Sequence, residues 1–147
     1  MTPSPMGKHQ KIAGRISQML LNQLDECSKT EANVYLELDW IINENTVVRP
    51  DVSVLCEEVE EFIITPPEVI FEVVSKSTAL KDEKVKFDIY EKEKVKYYIL
   101  IYPDLKKVKA FKLSANKYEK IFDNYRGYLN LVLCNCDVSL EIEKIFR

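Results

Sequence analysis

Arg49-Pro50-Asp51-Val52-Ser53-Val54-Leu55 and Glu68-Val69-Ile70-Phe71-Glu72-Val73-Val74 are the two stretches on which the reading of this chain turns. Both are rich in β-branched residues and read as short buried strands, and each carries an acid, Asp51 or Glu72. Burying an unpaired carboxylate is costly, so both acids need partners. If the strands pair antiparallel, the start of the first lies beside the end of the second and the carboxylates converge. Two convergent carboxylates on rigid strands make a candidate divalent-cation site.

The rest of the chain fits an ordinary globular protein. Its 147 residues correspond to one domain, residues 1–147, and suffice for a real core. A net charge of −3 argues against a strongly basic nucleic-acid binder. Lys84, Lys86, Lys92, Lys94 and Lys96 are bunched, but Asp82, Glu83, Asp88, Glu91 and Glu93 are interleaved with them, the pattern of a solvated helix face. No apolar run approaches the roughly 18 residues of a membrane span and no signal-peptide pattern opens the chain, so a cytoplasmic protein is expected. Cys134 and Cys136 would share a strand face if extended, but a CxC pair with one histidine is a poor zinc set. Cys27, Cys56, Cys134 and Cys136 are therefore expected as free thiols.

Outward from the two strands, Met1 to Pro5 reads as a loose tail. Ile12, Ile16, Met19, Leu20 and Leu24 fall at helical spacing and predict an amphipathic helix from Gly7 to Cys27. Val34 to Ile42 and Thr46 to Leu55 read as strands of a hairpin about Asn43-Glu44-Asn45. After the strand Val69 to Val74, Ser75 to Thr78 offer N-caps for a helix from about Leu80 to Lys94. Strands are expected over Lys96 to Tyr102, Lys107 to Leu113, Lys117 to Phe122 and Leu129 to Leu133, with a helical turn over Glu141 to Phe146. The sum is an α/β (α+β) fold with a mixed sheet partly covered by helices.

On the second helix, Val85, Ile89, Ala79 and Tyr90 define an apolar side and Lys81, Lys84, Asp88, Glu91 and Lys92 the opposite one. Lys86 and Asp82 fall within the apolar side, four residues apart. Periodicity leaves two readings open: an internal ion pair at the helix flank, or Lys86 aimed at the carboxylates of Asp51 and Glu72. His9, the single histidine, stands at a helix start, where capping or solvent exposure is the commoner role. Ser75, Ser77 and Thr78 lack a His–Asp partner set, and three glycines cannot build a phosphate-binding loop.

Taken together, Arg49-Pro50-Asp51-Val52-Ser53-Val54, Glu72-Val73-Val74-Ser75-Lys76-Ser77-Thr78, and then Asp82, Lys86, Tyr90, Val95, Tyr98 and Pro103 resemble the Uma family of candidate bacterial endonucleases. That family lies within the PD-(D/E)xK, restriction-endonuclease-like superfamily. The resemblance implies a nuclease core with a mixed central sheet flanked by helices. It implies Asp51 and Glu72 as metal-binding carboxylates, with the backbone carbonyl of Val73 as a further ligand and Mg²⁺ (or Mn²⁺) as the metal. The superfamily lysine, two residues after the second acid, is Val74 here, and Lys86 from the next helix would replace it, oriented by Asp82 and supported by Tyr90. DNA is the implied substrate. This chain starts after the strand segment that family members carry before the first helix, which implies an open sheet edge and a homodimer. The rival expectation is a nuclease-fold interaction module without catalysis.

Overall fold

Apolar side chains on the first helix recur every three or four residues, and they are the ones the fold buries. In the computed structural model, which describes residues 7–28, 30–75 and 79–147 (without the side chains of 79–81), helix α1 spans Gly7–Leu24. It buries Ile12, Ala13, Ile16, Leu20 and Leu24. The expected tail and most of the expected cap, Lys76 to Thr78, lie outside the described residues.

Strands β1 (Asn33–Leu36), β4 (Val52–Leu55), β5 (Val69–Val73), β6 (Tyr97–Tyr102), β7 (Lys107–Ser114) and β8 (Lys117–Asn124) form a six-stranded sheet in that order. All neighbours are antiparallel except β5 and β6, which run parallel. A parallel pair needs a crossover, and helix α2 (Ala79–Lys92) supplies it. The apolar character of β4, β5 and β6 follows from their place at the centre, where both faces are covered. On one face Val52, Val54, Val69, Phe71, Val73, Ile99 and Ile101 pack with α1 and with the hairpin of β9 (Tyr128–Leu133) and β10 (Cys136–Glu141), which leads into α3 (Ile142–Ile145). On the other face Ile70, Tyr98 and Leu100 pack with Tyr90 of α2, Trp40 and Ile63.

Four expectations about local structure are corrected. The strand read from Val34 to Ile42 is two strands, β1 and β2 (Trp40–Asn43), and the next is β3 (Thr46–Val48) followed by β4. β2 and β3 pair with each other while β1 pairs with β4. The break falls at Glu37, with φ 49°, and at Pro50, which has no N–H for a ladder. Val85 does not lie on the buried side of α2 but is 49% exposed. Five residues at 100° each place it about 140° from Tyr90, whose ring is held between Trp40 and Tyr98. Cys134 is not in a strand: with Asn135 it forms the two-residue β9–β10 turn, both at positive φ (51° and 68°). Finally, Cys56 and Cys134 are not free but joined in a disulfide across 78 residues. The fold brings their Cα atoms to 5.5 Å, a separation normal for a disulfide, which spacing along the chain could not reveal. Cys27 and Cys136 are free.

Candidate active site

The β4–β5 register pairs Val52 with Phe71. One step further along that ladder sets Asp51 beside Glu72, and the period of two points both acids to the face that carries α2. Both border one cavity of about 190 Å³, together with His9, Arg49, Val73, Ser75, Asp82, Glu83, Lys86 and Tyr98. The fold therefore brings Asp51, Glu72, Val73, Asp82 and Lys86 together at one cavity.

Each oxygen of the two acids meets a different donor. Asp51 Oδ2 accepts the backbone N–H of Val73 at 2.7 Å, and Asp51 Oδ1 lies 2.8 Å from His9 Nε2. Glu72 Oε1 accepts the Tyr90 hydroxyl at 2.9 Å, and Glu72 Oε2 lies 3.3 Å from Lys86 Nζ. Lys86 Nζ also lies 3.2 Å from Asp82 Oδ2. Both readings of Lys86 thus hold at once: it makes the pair within the helix and reaches the strand acid. Glu72 is buried, and that burial pushes its carboxyl up to about 8. The charge of Asp51 adds to the rise, while Lys86 and Tyr90 oppose it. Burial alone would lower the pKa of Lys86, but Glu72 and Asp82 hold it above the ordinary lysine value. When Glu72 carries a proton, Asp82 remains as the charged partner beside the Lys86 amine.

His9 is the residue whose place differs from expectation. It neither caps α1 nor points to solvent, but reaches across to Asp51. Its spacing held the signal: His9 stands three and four residues before Ile12 and Ala13, which are buried, so it shares their stripe. Tyr98 is buried in the core and also borders the cavity. Its hydroxyl is buried with no hydrogen-bond partner among the described residues.

Oxygen donors of this kind suit a hard dication. Among the described residues, however, the one set of three histidine, cysteine or acidic ligand atoms lying mutually within 4.8 Å is Cys56, Glu68 and Cys134, away from this cavity. Its sulfurs are bonded to each other. By donor chemistry the Asp51–Glu72 pair is the better seat for a hard ion.

Residues 1–130 match the family described as Uma2, "Putative restriction endonuclease". The chain belongs to the Uma2 family. A crystal structure from Anabaena variabilis ATCC 29413, described as "a putative nuclease belonging to DUF820", superposes with a TM-score of 0.76 at 19% identity. The superposition covers 99% of this chain and 84% of that one. At that identity the likeness establishes the fold, and the mixed sheet with flanking helices is the architecture expected for an Uma2 protein. No curated protein matches the chain. Among the described residues, no helix is long and apolar enough to cross a membrane.

Proposed function

We propose that this Uma2 protein is a metal-dependent endonuclease that hydrolyses phosphodiester bonds in DNA. The observation that carries the reading is the meeting of Asp51, Glu72 and Lys86 at one cavity, two acids on adjacent strands with a lysine reaching in from the crossover helix. Asp51 and Glu72 would hold Mg²⁺ or Mn²⁺, with the Val73 carbonyl as a further oxygen ligand. Such a metal, when bound, lowers the pKa of a water and offsets charge on the phosphoryl group.

The chain's own residues set the conditions for that chemistry. Val73 N–H and His9 fix the two oxygens of Asp51, so this carboxylate does not have to reorganise. Tyr90 anchors one oxygen of Glu72 and leaves the other facing Lys86. Lys86 keeps a positive charge beside the acids, where an attacking water or a phosphoryl oxygen would come, and Asp82 orients it. Arg49 adds a second cation to the cavity wall. Without a dication the charges of Asp51, Asp82 and Glu83, joined by Glu72 once it is ionised, repel a phosphodiester, which fits a site that binds metal and DNA together.

The test is cleavage of supercoiled plasmid and single-stranded DNA with Mg²⁺ or Mn²⁺, alongside Asp51→Ala and Glu72→Ala. We expect nicking by the parent chain, none in chelator, and none by either variant while both retain the parent's circular dichroism. Equal cleavage by parent and folded variants would overturn the assignment. No cleavage by the parent on either DNA would favour the rival, an interaction module. That rival is supported by one observation, the complete pairing of both carboxylates with protein donors.

A further inference from the structure

A second cluster of ligating groups sits at the other end of the strands that carry the acids. Cys56 follows β4 directly, and Glu68 immediately precedes β5, its N–H donating to the Val54 carbonyl at 2.8 Å. Cys134 comes from the tight β9–β10 turn, and its N–H donates to Glu68 Oε2 at 2.7 Å. Three rigid elements thus aim two sulfurs and a carboxylate oxygen at one point, all within 4.8 Å of one another. In the oxidised state the sulfurs are joined.

We infer that Cys56, Glu68 and Cys134 form a soft-metal site, for Zn²⁺ by its donor chemistry, which the reduced protein offers and the Cys56–Cys134 disulfide closes. Two thiolates with one carboxylate suit Zn²⁺ and do not suit Mg²⁺. Tetrahedral Zn–S bonds of about 2.3 Å put two sulfurs about 3.8 Å apart, so the sulfurs must separate on reduction. Cys56 is exposed, so its side chain has room to turn, and the fourth position is left to water. Charge also balances. Two thiolates, one carboxylate and Zn²⁺ sum to one negative charge, and Lys96 Nζ lies 3.9 Å from Glu68 Oε2 to offset it.

The conversion is conserved in electrons and protons. A dithiol reductant gives two electrons and two protons to the Cys56–Cys134 bond, leaving two thiols and its own disulfide. Zn²⁺ then displaces the two thiol protons to solvent as two Zn–S bonds form. Either cross-link ties the end of β4 to the β9–β10 hairpin, so the tie survives in reducing and oxidising conditions alike. This inference is independent of the proposed nuclease activity.

The full chain, reduced anaerobically and freed of reductant, would be titrated with Co²⁺ and then with Zn²⁺. We expect thiolate-to-cobalt charge-transfer absorption that saturates at one Co²⁺ per chain and is displaced by Zn²⁺. The same protein after oxidation should show no such absorption. Cys56→Ser and Cys134→Ser should lose it, and Glu68→Gln should weaken binding about tenfold or more. The Cys27→Ser/Cys136→Ser double variant should keep the parent's charge-transfer absorption. Absence of the charge-transfer band in the reduced parent would overturn the inference, as would its persistence in Cys56→Ser or after oxidation. Should the serine variants fail to fold, the comparison of oxidised and reduced parent with Glu68→Gln decides alone.

Discussion

Replacing Glu72 with glutamine should make the metal-free protein more stable than the parent at alkaline pH and remove that advantage at acid pH. Burial holds the Glu72 carboxyl up to about 8 in the folded protein, against an ordinary value of 4.5. Between those two values the folded protein binds a proton that the unfolded chain does not. Stability therefore falls as pH rises through the window, by about 1.4 kcal/mol per pH unit at most. Across the window the loss is of order 4 kcal/mol, a large part of the roughly 5–15 kcal/mol that holds a domain folded. Glutamine has no proton to lose, so its stability lacks this slope. The amide also places an NH₂ near Lys86, but that penalty is a constant offset and leaves the slope untouched. Urea unfolding of parent and Glu72→Gln in chelator, followed by circular dichroism from about pH 5 to about pH 9, measures the difference while other titrating groups cancel. A parent-minus-variant difference that is flat with pH, or that rises with it, would refute the assignment of a buried, proton-holding Glu72. Added Mg²⁺ or Mn²⁺ should stabilise the parent more as pH rises, because only the ionised carboxylate binds it.

Other perturbations read different parts of the same site. Tyr90→Phe removes the donor to Glu72 Oε1, which should cost about 1–3 kcal/mol and move the pH-dependent fall in stability to higher pH. A shift to lower pH would contradict the opposing role of Tyr90. Lys86→Met should reduce Mg²⁺-dependent DNA cleavage about a hundredfold or more, read as a fall in kcat with little change in KM. His9→Ala should reduce cleavage about tenfold or more through loss of Asp51 orientation, with His9→Gln recovering part of it; equal effects of the two variants would point to a role beyond positioning. Reducing the disulfide in metal-free buffer should lower unfolding stability by about 4.5 kcal/mol at most, from the 78-residue separation it closes, and Zn²⁺ should restore part of that in a chemical-denaturation assay.

What could be read from the sequence was what is local or periodic. The strands of Asp51 and Glu72, the stripe of α1 and the four-residue spacing of Asp82 and Lys86 are properties of neighbours along the chain, and the structure bears them out as geometry. What could not be read depends on approach between distant segments. The Cys56–Cys134 bond needs the β9–β10 turn to lie over the end of β4, and no spacing encodes that. The division of the hairpin was half legible, since Pro50 marks the break between β3 and β4, but Glu37, between β1 and β2, carries no side-chain signature of its positive φ. His9 lay between these cases. Its place on the buried stripe was periodic and therefore readable, whereas its partner Asp51, 42 residues on, was not.

The two acids, although adjacent in the sheet, are prepared differently, and the difference bears on what a lysine reaching in from the helix can do. Asp51 sits at the open end of β4, 16% exposed, with a backbone N–H and a histidine as donors. Glu72 sits inside β5 under the aromatic roof of Tyr90 and Tyr98, where one positive charge does not offset its burial. A lysine at position 74, two residues on, would share the face of Glu72 but would have to come from the same strand, with a backbone that cannot move. Lys86 comes instead from α2, one side chain's reach away, and Asp82 on the same helix can hold it when Glu72 is protonated. Lys86 therefore has two resting partners and can remain charged while the strand acid changes its state. Ionisation of Glu72 as pH rises would strengthen its pull on Lys86 and leave Asp82 freer, coupling the state of the acid to the position of the amine. In Asp82→Asn, that coupling predicts tighter Lys86–Glu72 pairing, with the pH-dependent fall in stability displaced to lower pH. An unchanged midpoint would mean that Asp82 and Glu72 do not compete for the amine.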